Sequence, residues 1–270
     1  MATETIRRST APVVVELVGA PGAGKTTLLP AVLRACRAAG LHPYTVVEAA
    51  RPFAARTPVG RTIGGLLPTT LRRKALWAVF LGARALGAVR LAAGRPRLVR
   101  YVLASQRGRP PGADRRERRV LHWYARSAGA YRFLTARARA GEAIVMDEGF
   151  VHRAVQLHAS SVEAPEPARI EKYADLIPRP DLLVHVRAPV EVCERRVRSR
   201  GPWERFRGRD PRELSRFVAH AHRATELVVE AVRARGWPVI AIDNDGEDPA
   251  EAGAALAPRV VAALPVVRRR

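Results

Sequence analysis

The sequence predicts an α/β fold in which an open parallel sheet lies between layers of helices. Three observations support this: a length of 270 residues that suits one domain spanning residues 1–270, five short apolar runs, and helical segments that separate the runs. The runs are rich in β-branched residues and do not alternate, as expected of strands buried on both faces of a parallel sheet. The predicted strands are residues 12–18, 43–47, 143–146, 181–187 and 238–242.

The first helix is predicted over residues 26–39, directly after the first strand. Leu29 and Leu33 recur there at helical spacing, and Gly40 follows as a stop signal. Pro30 lies inside the pattern and is expected to kink the helix.

The connection between the second and third strands is long and basic. Helices are predicted over residues 71–93, 98–105 and 115–139. Residues 51–139 hold 20 arginines and one lysine against two acids, so they carry a net +19 of the chain's +22. We therefore interpret this segment as a basic helical insertion in a domain whose remainder is nearly neutral.

Cysteine content and apolar stretches bear on the compartment. Two cysteines are too few for a disulfide framework or a zinc site. The longest apolar stretch, residues 75–93, is interrupted by Arg84 and Arg90, so a membrane span is not expected. The apolar run at residues 13–18 is too short for the core of a signal peptide. We expect a cytoplasmic protein.

Residues 19–26, Gly-Ala-Pro-Gly-Ala-Gly-Lys-Thr, match the Walker A motif between the first strand and the first helix. Its glycines let backbone N–H groups turn toward phosphate oxygens, and the helix directs its positive end to the same place. Lys25 would reach the β- and γ-phosphates, and the Thr26 hydroxyl is placed to ligate Mg²⁺. We therefore predict binding of ATP with Mg²⁺. The predicted nucleotide contacts are Gly19, Ala20, Gly22, Ala23, Gly24, Lys25, Thr26 and Thr27.

Acids follow two of the other predicted strands. Asp147 and Glu148 end the third strand, where an acid of a P-loop protein holds Mg²⁺ through water. Side-chain alternation favours Asp147 for the metal, and the choice between the two stays open. Glu48 follows the second strand and is predicted to accept a proton from an attacking hydroxyl. The alternative for Glu48 is an ordinary cap or salt bridge.

An arginine-rich segment over residues 195–215 is predicted to form a lid. Arg196 and Arg200 lie four residues apart and share one face of a helix, and a Gly-Pro pair follows them. Such a segment, with Arg205, can close over the polyphosphate and offset charge on the transferred group. A solvated basic face is the alternative.

With these features in order, the chain resembles the nucleoside and nucleotide kinases of the P-loop class, especially thymidylate and deoxynucleoside kinases. The resemblance covers residues 12–48 and 142–265 and is poor across 51–139. The form Gly-Phe-x-x-x-x-x-Gln at residues 149–156 resembles kinase-like P-loop proteins other than housekeeping thymidylate kinases. The resemblance implies a three-layer P-loop NTPase fold with a five-stranded sheet of order 2-3-1-4-5.

The resemblance also implies roles for individual residues. The family's acid–arginine pair is acid–acid at Asp147 and Glu148 here, so Arg153 is the candidate for the missing arginine contact. The loop at residues 242–245 resembles the loop beside the adenine. The implied catalytic residues are Lys25, Glu48, Asp147, Arg196 and Arg200, with Arg196 also contacting the nucleotide. The implied acceptor-binding residues are Glu48, Arg51, Phe150, Arg153 and Gln156.

The leading hypothesis is phosphoryl transfer from ATP-Mg²⁺ to a small molecule such as a nucleoside, a nucleotide, a sugar or a natural-product hydroxyl. The excess charge of the insertion favours an anionic acceptor. The alternative is a regulatory ATPase whose insertion binds nucleic acid, a protein partner or an anionic membrane. Aromatic residues such as Trp77 and Trp123 lie among its arginines, although a buried helix stripe accounts for them more simply. The oligomeric state stays open.

Overall fold

A five-stranded parallel sheet forms the centre of the fold in the computed structural model, which describes residues 12–107, 120–201, 203, 206–246 and 248–264. The strands are β1 (Val13–Val18), β2 (His42–Thr45), β3 (Glu142–Met146), β4 (Leu182–Arg187) and β5 (Val239–Asp243). Their order, β2-β3-β1-β4-β5, confirms the predicted P-loop NTPase arrangement. Each strand lies within two residues of its predicted bounds.

Helices connect the strands and flank the sheet. Within the described residues they are α1 (Lys25–Ala38), α2 (Val46–Ala55), α3 (Pro58–Leu66), α4 (Thr69–Gly94), α5 (Pro96–Arg107), α6 (Val120–Thr135), α7 (Phe150–His158), α8 (Pro167–Ala174), α9 (Val190–Ser199), α10 (Pro211–Ala234) and α11 (Pro249–Ala263). Helix α1 packs against α11, α4 packs against α6 and α2, and α10 packs against α7 and α8.

Strand β1 is buried along its whole length and sets the position of the site. Glu16 pairs with Met146 of β3 on one side and with Leu183 of β4 on the other. This parallel register brings the carboxyl ends of β1 and β3 together. The loop after β1 and the two acids after β3 therefore lie at the same edge of the sheet.

Side chains of β1 contribute to two clusters of the core. Val14 packs in a cluster with Phe53 of α2, Phe80 of α4 and Phe133 of α6. Val15 belongs to a larger cluster that includes residues of α1, α7, α10 and α11. Helices α4 and α6 of the basic segment therefore cover one side of the sheet, and the segment contributes side chains to the core.

The insertion is more helical than predicted. Between β2 and β3 the described residues form α2 to α6, whereas three helices were expected. Helix α4 matches the predicted 71–93, and α6 ends at Thr135 rather than at residue 139. Residues 108–119, where that last helix was predicted to begin, lie outside the described residues. Helix α1 continues past Pro30 as one helix.

Helix α4 is long and apolar enough to cross a membrane by length and composition, and 22% of its most apolar stretch is buried. Length and composition do not separate a membrane span from a core helix, so this is weak support for a span. One face of α4 packs on α6 and α2. Its exposed face carries Leu71, Leu81, Leu86 and Val89.

Candidate active site

A loop with left-handed glycines joins β1 to α1. Gly22 has a φ of +85° and Gly24 a φ of +95°, which residues with a side chain rarely adopt. Space excludes a side chain as well, because a Cβ on Gly22 would lie 2.3 Å from the carbonyl oxygen of Cys193. Both positions therefore require the glycines of the Walker A motif.

Lys25 begins α1 and folds back over the loop. Its Nζ donates to the carbonyl oxygens of Gly19, over 2.7 Å, and Ala20, over 3.3 Å. Burial lowers the pKa of Lys25 to about 8, although nearby carboxylates, chiefly that of Glu148, oppose the shift. An anion beside Nζ would favour the charged form of this lysine.

A cavity of about 470 Å³ opens beside this loop. Lys25 and Thr26 line it together with Asp147, Glu148 and Arg200, so the predicted phosphate and metal residues share one space. Thr26 and Thr27 are exposed at the start of α1. We call this space the P-loop cavity.

A second cavity of about 410 Å³ lies between the carboxyl end of β3 and the helices of the insertion. Arg84 of α4, Ser127 of α6, Arg153 of α7 and Val46 of α2 contribute to its wall. We call it the acceptor cavity, because Arg153 and Gln156, which were predicted to bind an acceptor, line it. Residues that line both cavities are Trp123, Asp147, Glu148 and Gln156.

The fold implies a Mg²⁺ ion, and the oxygen donors present fit one. The Thr26 hydroxyl and the Asp147 carboxylate line the same cavity, and no hydrogen bond or ion pair within the described residues engages the Asp147 side chain. In the described part of the chain, no group of three or more His, Cys, Asp or Glu side chains could hold a metal. The chain would therefore supply one or two ligands and leave the others to phosphate and water oxygens.

The Glu148 carboxylate forms an ion pair with a residue of α7. Arg153 Nη2 lies 3.0 Å from Glu148 Oε2, and the same guanidinium donates to Ser127 Oγ over 2.7 Å and 3.0 Å. A further donor of Arg153 bonds the side-chain oxygen of Gln156. Arg153 is 6% exposed, so the wall of the acceptor cavity holds a buried, fully bonded arginine.

Glu48 is not at a strand end as predicted, because β2 ends at Thr45 and α2 begins at once. The Glu48 carboxylate accepts from the amide and the hydroxyl of Thr45, and the Glu48 amide donates to Thr45 Oγ1. These bonds form a capping box and lower the pKa of the exposed Glu48 carboxyl. Neither Glu48 nor Arg51 is among the residues that line the two cavities; Arg51 lies 6.0 Å from the ring of Trp77.

Phe150 lies in the core rather than on a cavity wall. Its side chain is 1% exposed, and its ring packs edge-on against those of Tyr124 and Tyr131. Of the predicted acceptor-binding residues, the structure brings Arg153 and Gln156 to the acceptor cavity.

Arg196 ties α9 to the loop after β5. Its Nη1 donates to the carbonyl oxygen of Asn244 and its Nη2 to that of Gly246, each over 2.8 Å. Asn244 Nδ2 in turn donates to the carbonyl oxygen of Ala23 over 2.7 Å. The loop predicted to lie beside the adenine is therefore fastened to both the P-loop and α9.

The predicted lid is described only in part. Arg200 ends α9 and lines the P-loop cavity, where its charge contributes to the lowered pKa of Lys25. Trp203 packs edge-on against Phe217 of α10, with ring centroids 5.7 Å apart. Arg205 lies outside the described residues.

Glu16 is an ionisable residue that the sequence analysis did not single out. It is 2% exposed in the middle of β1, and its Oε1 accepts from the amide of His152 over 3.0 Å. Burial raises its pKa to about 7, although amides in the first turn of α7 oppose the shift. Gly149 is required beside it, because a Cβ there would lie 2.3 Å from the Glu16 carboxyl carbon. The sequence does offer a signal for Glu16, since it is an acidic residue inside an apolar run.

The resemblance places His152 at the start of the acceptor-binding helix without a role of its own, and it gives none to Arg84 and Arg126. His152 is 7% exposed and lines the P-loop cavity, and its Nδ1 has no hydrogen-bond partner within the described residues. Burial, with a smaller contribution from the charge of Lys25, lowers its pKa well below its ordinary value. Arg84 and Arg126 line the acceptor cavity from the insertion. In a segment with 20 arginines, nothing in the sequence separates these two from the others.

No protein-family model matches the chain, and no curated protein matches it. Among solved structures it is similar to deoxyadenosine kinase from M. mycoides with bound dCTP, at 10% identity and a TM-score of 0.44, over 93% of this chain and 100% of that chain. It is similarly close to the same enzyme with bound dATP, at 11% identity and a TM-score of 0.44, over 92% and 98% of the two chains. A likeness of this degree assigns neither a family nor an activity to the chain.

Proposed function

We propose that the protein is a phosphotransferase that uses ATP with Mg²⁺ and acts on a small-molecule acceptor. One observation carries the proposal: two separate cavities meet at Asp147 and Glu148. One is lined by the Walker A residues, and the other by side chains of α4, α6 and α7. An ATPase needs only the first space, whereas a kinase needs a second space for the acceptor beside the transferred phosphate.

In this proposal the P-loop cavity binds the polyphosphate. Lys25 Nζ leaves its two carbonyl partners to contact phosphate oxygens, and the loop amides and the N-terminus of α1 add further donors. Thr26 and Asp147 would hold Mg²⁺, which neutralises phosphate charge and orients the transferred group. Arg200 contributes positive charge from the end of α9.

The transfer step joins the acceptor hydroxyl oxygen to the γ-phosphorus and breaks the bond to the ADP oxygen, and the hydroxyl proton is released. Glu48 is used as a helix cap, so we assign the orientation of this hydroxyl to Glu148 instead. Arg153 holds the Glu148 carboxylate in place at 3.0 Å. Because the transition state is loose, positioning and charge matter more than the strength of the base.

Acceptor binding is assigned to the wall of the acceptor cavity. Trp123 offers an aromatic face, Gln156 a side-chain amide and Ser127 a hydroxyl. The volume of about 410 Å³ suits a nucleoside, a nucleotide, a sugar or another hydroxylated metabolite.

A second candidate is a regulatory ATPase that docks through the insertion. The observation in its favour is the exposed apolar face of α4, with Arg72, Arg73 and Lys74 at the start of the same helix. A regulatory ATPase of this kind would leave the acceptor cavity without a role. We therefore place it second.

Release of ADP from ATP-Mg²⁺, measured against a panel of nucleosides, nucleotides, sugars and hydroxylated metabolites, tests the proposal. We expect release that depends on one acceptor class and falls at least 100-fold in Lys25→Ala. Lys172→Ala is the matched control, since it removes an exposed lysine of α8, and its activity should equal that of the unaltered protein. ADP release that ignores every acceptor and responds to nucleic acid or vesicles would favour the second candidate.

A further inference from the structure

Two arginines of the acceptor cavity lack an acidic partner. Arg84 of α4 and Arg126 of α6 line this cavity, and neither forms an ion pair or a hydrogen bond through its guanidinium within the described residues. Arg84 lies 5.8 Å from the ring of Phe80, which is an apolar neighbour. The third arginine of the wall, Arg153, is saturated by Glu148 and Ser127. Among the described residues, the cavity thus holds one neutralised guanidinium group and two that have no ion-pair partner.

A close crossing holds α4 and α6, the two helices that carry these groups, against each other. A Cβ on Gly129 would lie 2.1 Å from the carbonyl oxygen of Arg84, and a Cβ on Gly87 would lie 2.6 Å from the carbonyl oxygen of Gly129. Arg84 precedes Gly87 by three residues, and Arg126 precedes Gly129 by three. The backbone of Arg84 thus lies at the crossing, Arg126 stands about one helical turn from Gly129, and both side chains line the acceptor cavity.

The charges of Arg84 and Arg126 act on each other. Burial lowers the pKa of the Arg84 guanidinium, and the charge of Arg126 lowers it further. Like charges that face one space, each without an ion-pair partner, repel each other in the protein alone and favour a bound anion. Guanidinium groups match phosphate and carboxylate oxygens with paired hydrogen bonds, which makes these anions the fitting ligands.

The arrangement also gives the acceptor cavity a polarity. Asp147 and Glu148 lie where it meets the P-loop cavity, whereas Arg84 and Arg126 line the acceptor cavity alone. A ligand with a hydroxyl at one end and an anion at the other would bind with the hydroxyl toward the transferred phosphate.

We propose that the acceptor of this protein carries a phosphate or carboxylate group, which Arg84 and Arg126 bind at the end of the acceptor cavity. Only the statement that the bound anion belongs to the acceptor rests on the proposed function. The anion site itself does not, because anion binding is measurable without turnover. The two arginines lie within residues 51–139, over which the sequence resemblance to nucleoside and nucleotide kinases is poor.

Binding of anionic probes to protein saturated with ADP-Mg²⁺ tests the proposal, because the nucleotide then fills the P-loop. The probes are inorganic phosphate, ribose 5-phosphate and gluconate, with ribose and glucose as neutral counterparts, and calorimetry gives their affinities. The variants are Arg126→Met, which changes an exposed side chain, and the double variant Arg84→Met/Arg126→Met. Arg90→Met/Arg132→Met is the matched control, since it removes two exposed arginines of the same helices.

We expect at least one anionic probe to bind at least tenfold more tightly than its neutral counterpart. The double variant should lose at least tenfold in that affinity, Arg126→Met a part of it, and the control less than twofold. The melting temperature of the double variant should equal or exceed that of the unaltered protein, because a repulsion is removed. No anion binding, no preference over the neutral probes, or an equal loss in the control would overturn the proposal.

The two proposals fail in different ways. Phosphoryl transfer to neutral acceptors alone, with no effect of the double variant, would leave the phosphotransferase standing and remove the anion site. Anion binding that the double variant abolishes, in a protein that transfers phosphate to no acceptor, would leave the anion site standing as a binding site and remove the phosphotransferase.

Discussion

The Arg153 guanidinium lies 3.0 Å from the Glu148 carboxylate, five residues back in the chain and across the first turn of α7. Arg153 is buried while Glu148 is half exposed, so the arginine is held mainly by Ser127 and orients the acid. Arg153 is the candidate for the arginine contact that the resemblance implies, and its guanidinium lies beside this acid.

Loss of this arginine should destabilise the protein. Arg153→Met leaves Ser127 and the Glu148 carboxylate without their partner, and we expect a loss of about 1–3 kcal/mol in the free energy of unfolding. Urea denaturation measures it. Arg209→Met is the control, because Arg209 forms an exposed pair with Glu213 that should be worth at most about 0.5 kcal/mol. Equal losses in the two variants would show that the Arg153 network does not stabilise the fold.

The crossing of α4 and α6 should not tolerate a methyl group. Gly87→Ala would place Cβ 2.6 Å from a backbone oxygen of Gly129, so the helices must separate, and we expect a loss of about 2–4 kcal/mol. Gly82→Ala in the same helix meets nothing within 4 Å and should instead stabilise by up to about 1 kcal/mol. Thermal or urea unfolding of both variants gives the comparison. Similar stabilities for the two would contradict the close crossing.

The buried Glu16 should give stability a pH dependence of opposite sign to that of a surface acid. Its pKa is about 7 in the folded protein and near 4.5 when unfolded. The folded chain therefore binds more protons between these values, and its stability falls as pH rises from about 4.5 to 7. Glu16→Gln keeps an acceptor for the His152 amide and removes the charge. We expect it to be about 1–3 kcal/mol more stable than the unaltered protein at pH 8, and not more stable at pH 4.5.

Glu142 supplies the contrasting control for this experiment. Although burial opposes the shift, hydrogen bonds from Arg56 and from the Arg139 amide lower the pKa of its carboxyl. Its charged form thus stabilises the fold above about pH 4.5, and this contribution is lost as pH falls through the folded pKa. Glu142→Gln should destabilise at pH 7 and do so less at lower pH. The same sign for both variants at pH 8 would contradict the assignment of Glu16.

Lys25 should make nucleotide affinity depend on pH. Its pKa is about 8 in the free protein, so the lysine loses its charge as pH rises above that value, and a bound phosphate favours the charged form. We expect the affinity for ATP-Mg²⁺, measured by calorimetry, to fall between pH 8 and 9.5. Lys25→Met should bind at least 100-fold more weakly at pH 7 and show no such fall. A pH profile shared by both proteins would place its origin elsewhere.

The same substitution should not cost stability without nucleotide. Between about pH 8 and 10.5 the unfolded chain binds more protons at Lys25 than the folded chain, so burial of the charged lysine is unfavourable below pH 8. Lys25 is partly exposed, and we therefore expect Lys25→Met to gain only about 1 kcal/mol at pH 7. Thermal unfolding of the nucleotide-free proteins checks it.

The strands could be predicted from sequence because burial on both faces leaves a contiguous apolar run. Helices α2 and α3 were not predicted, and both contain proline, which disfavours a helix interior. Pro58 in fact stands in the first turn of α3, where its missing N–H is harmless. The boundary between β2 and α2 was wrong for a different reason. Thr45-Val-Val-Glu48 is a capping-box pattern, and this local signal outweighs the apolar run that precedes it.

Local motifs of the site were visible in the sequence, and long-range ones were not. The Walker A residues and Asp147 stand in short patterns at strand ends, and the structure places them around one cavity. The bond between Glu16 and the His152 amide joins residues 136 positions apart, and no pattern predicts it. Arg84 and Arg126 line one cavity because α4 packs against α6, and a sequence rich in arginine does not single them out.

Transfer of the γ-phosphate of ATP to an organic acceptor tests the central claim most directly. The measurement uses ATP labelled in the γ-phosphate, Mg²⁺ and the acceptor panel, and separates labelled products from inorganic phosphate. The account predicts label in an organic phosphate, none of it formed by Lys25→Ala, and all of it formed normally by Lys172→Ala. Label that appears only as inorganic phosphate with every acceptor would contradict it.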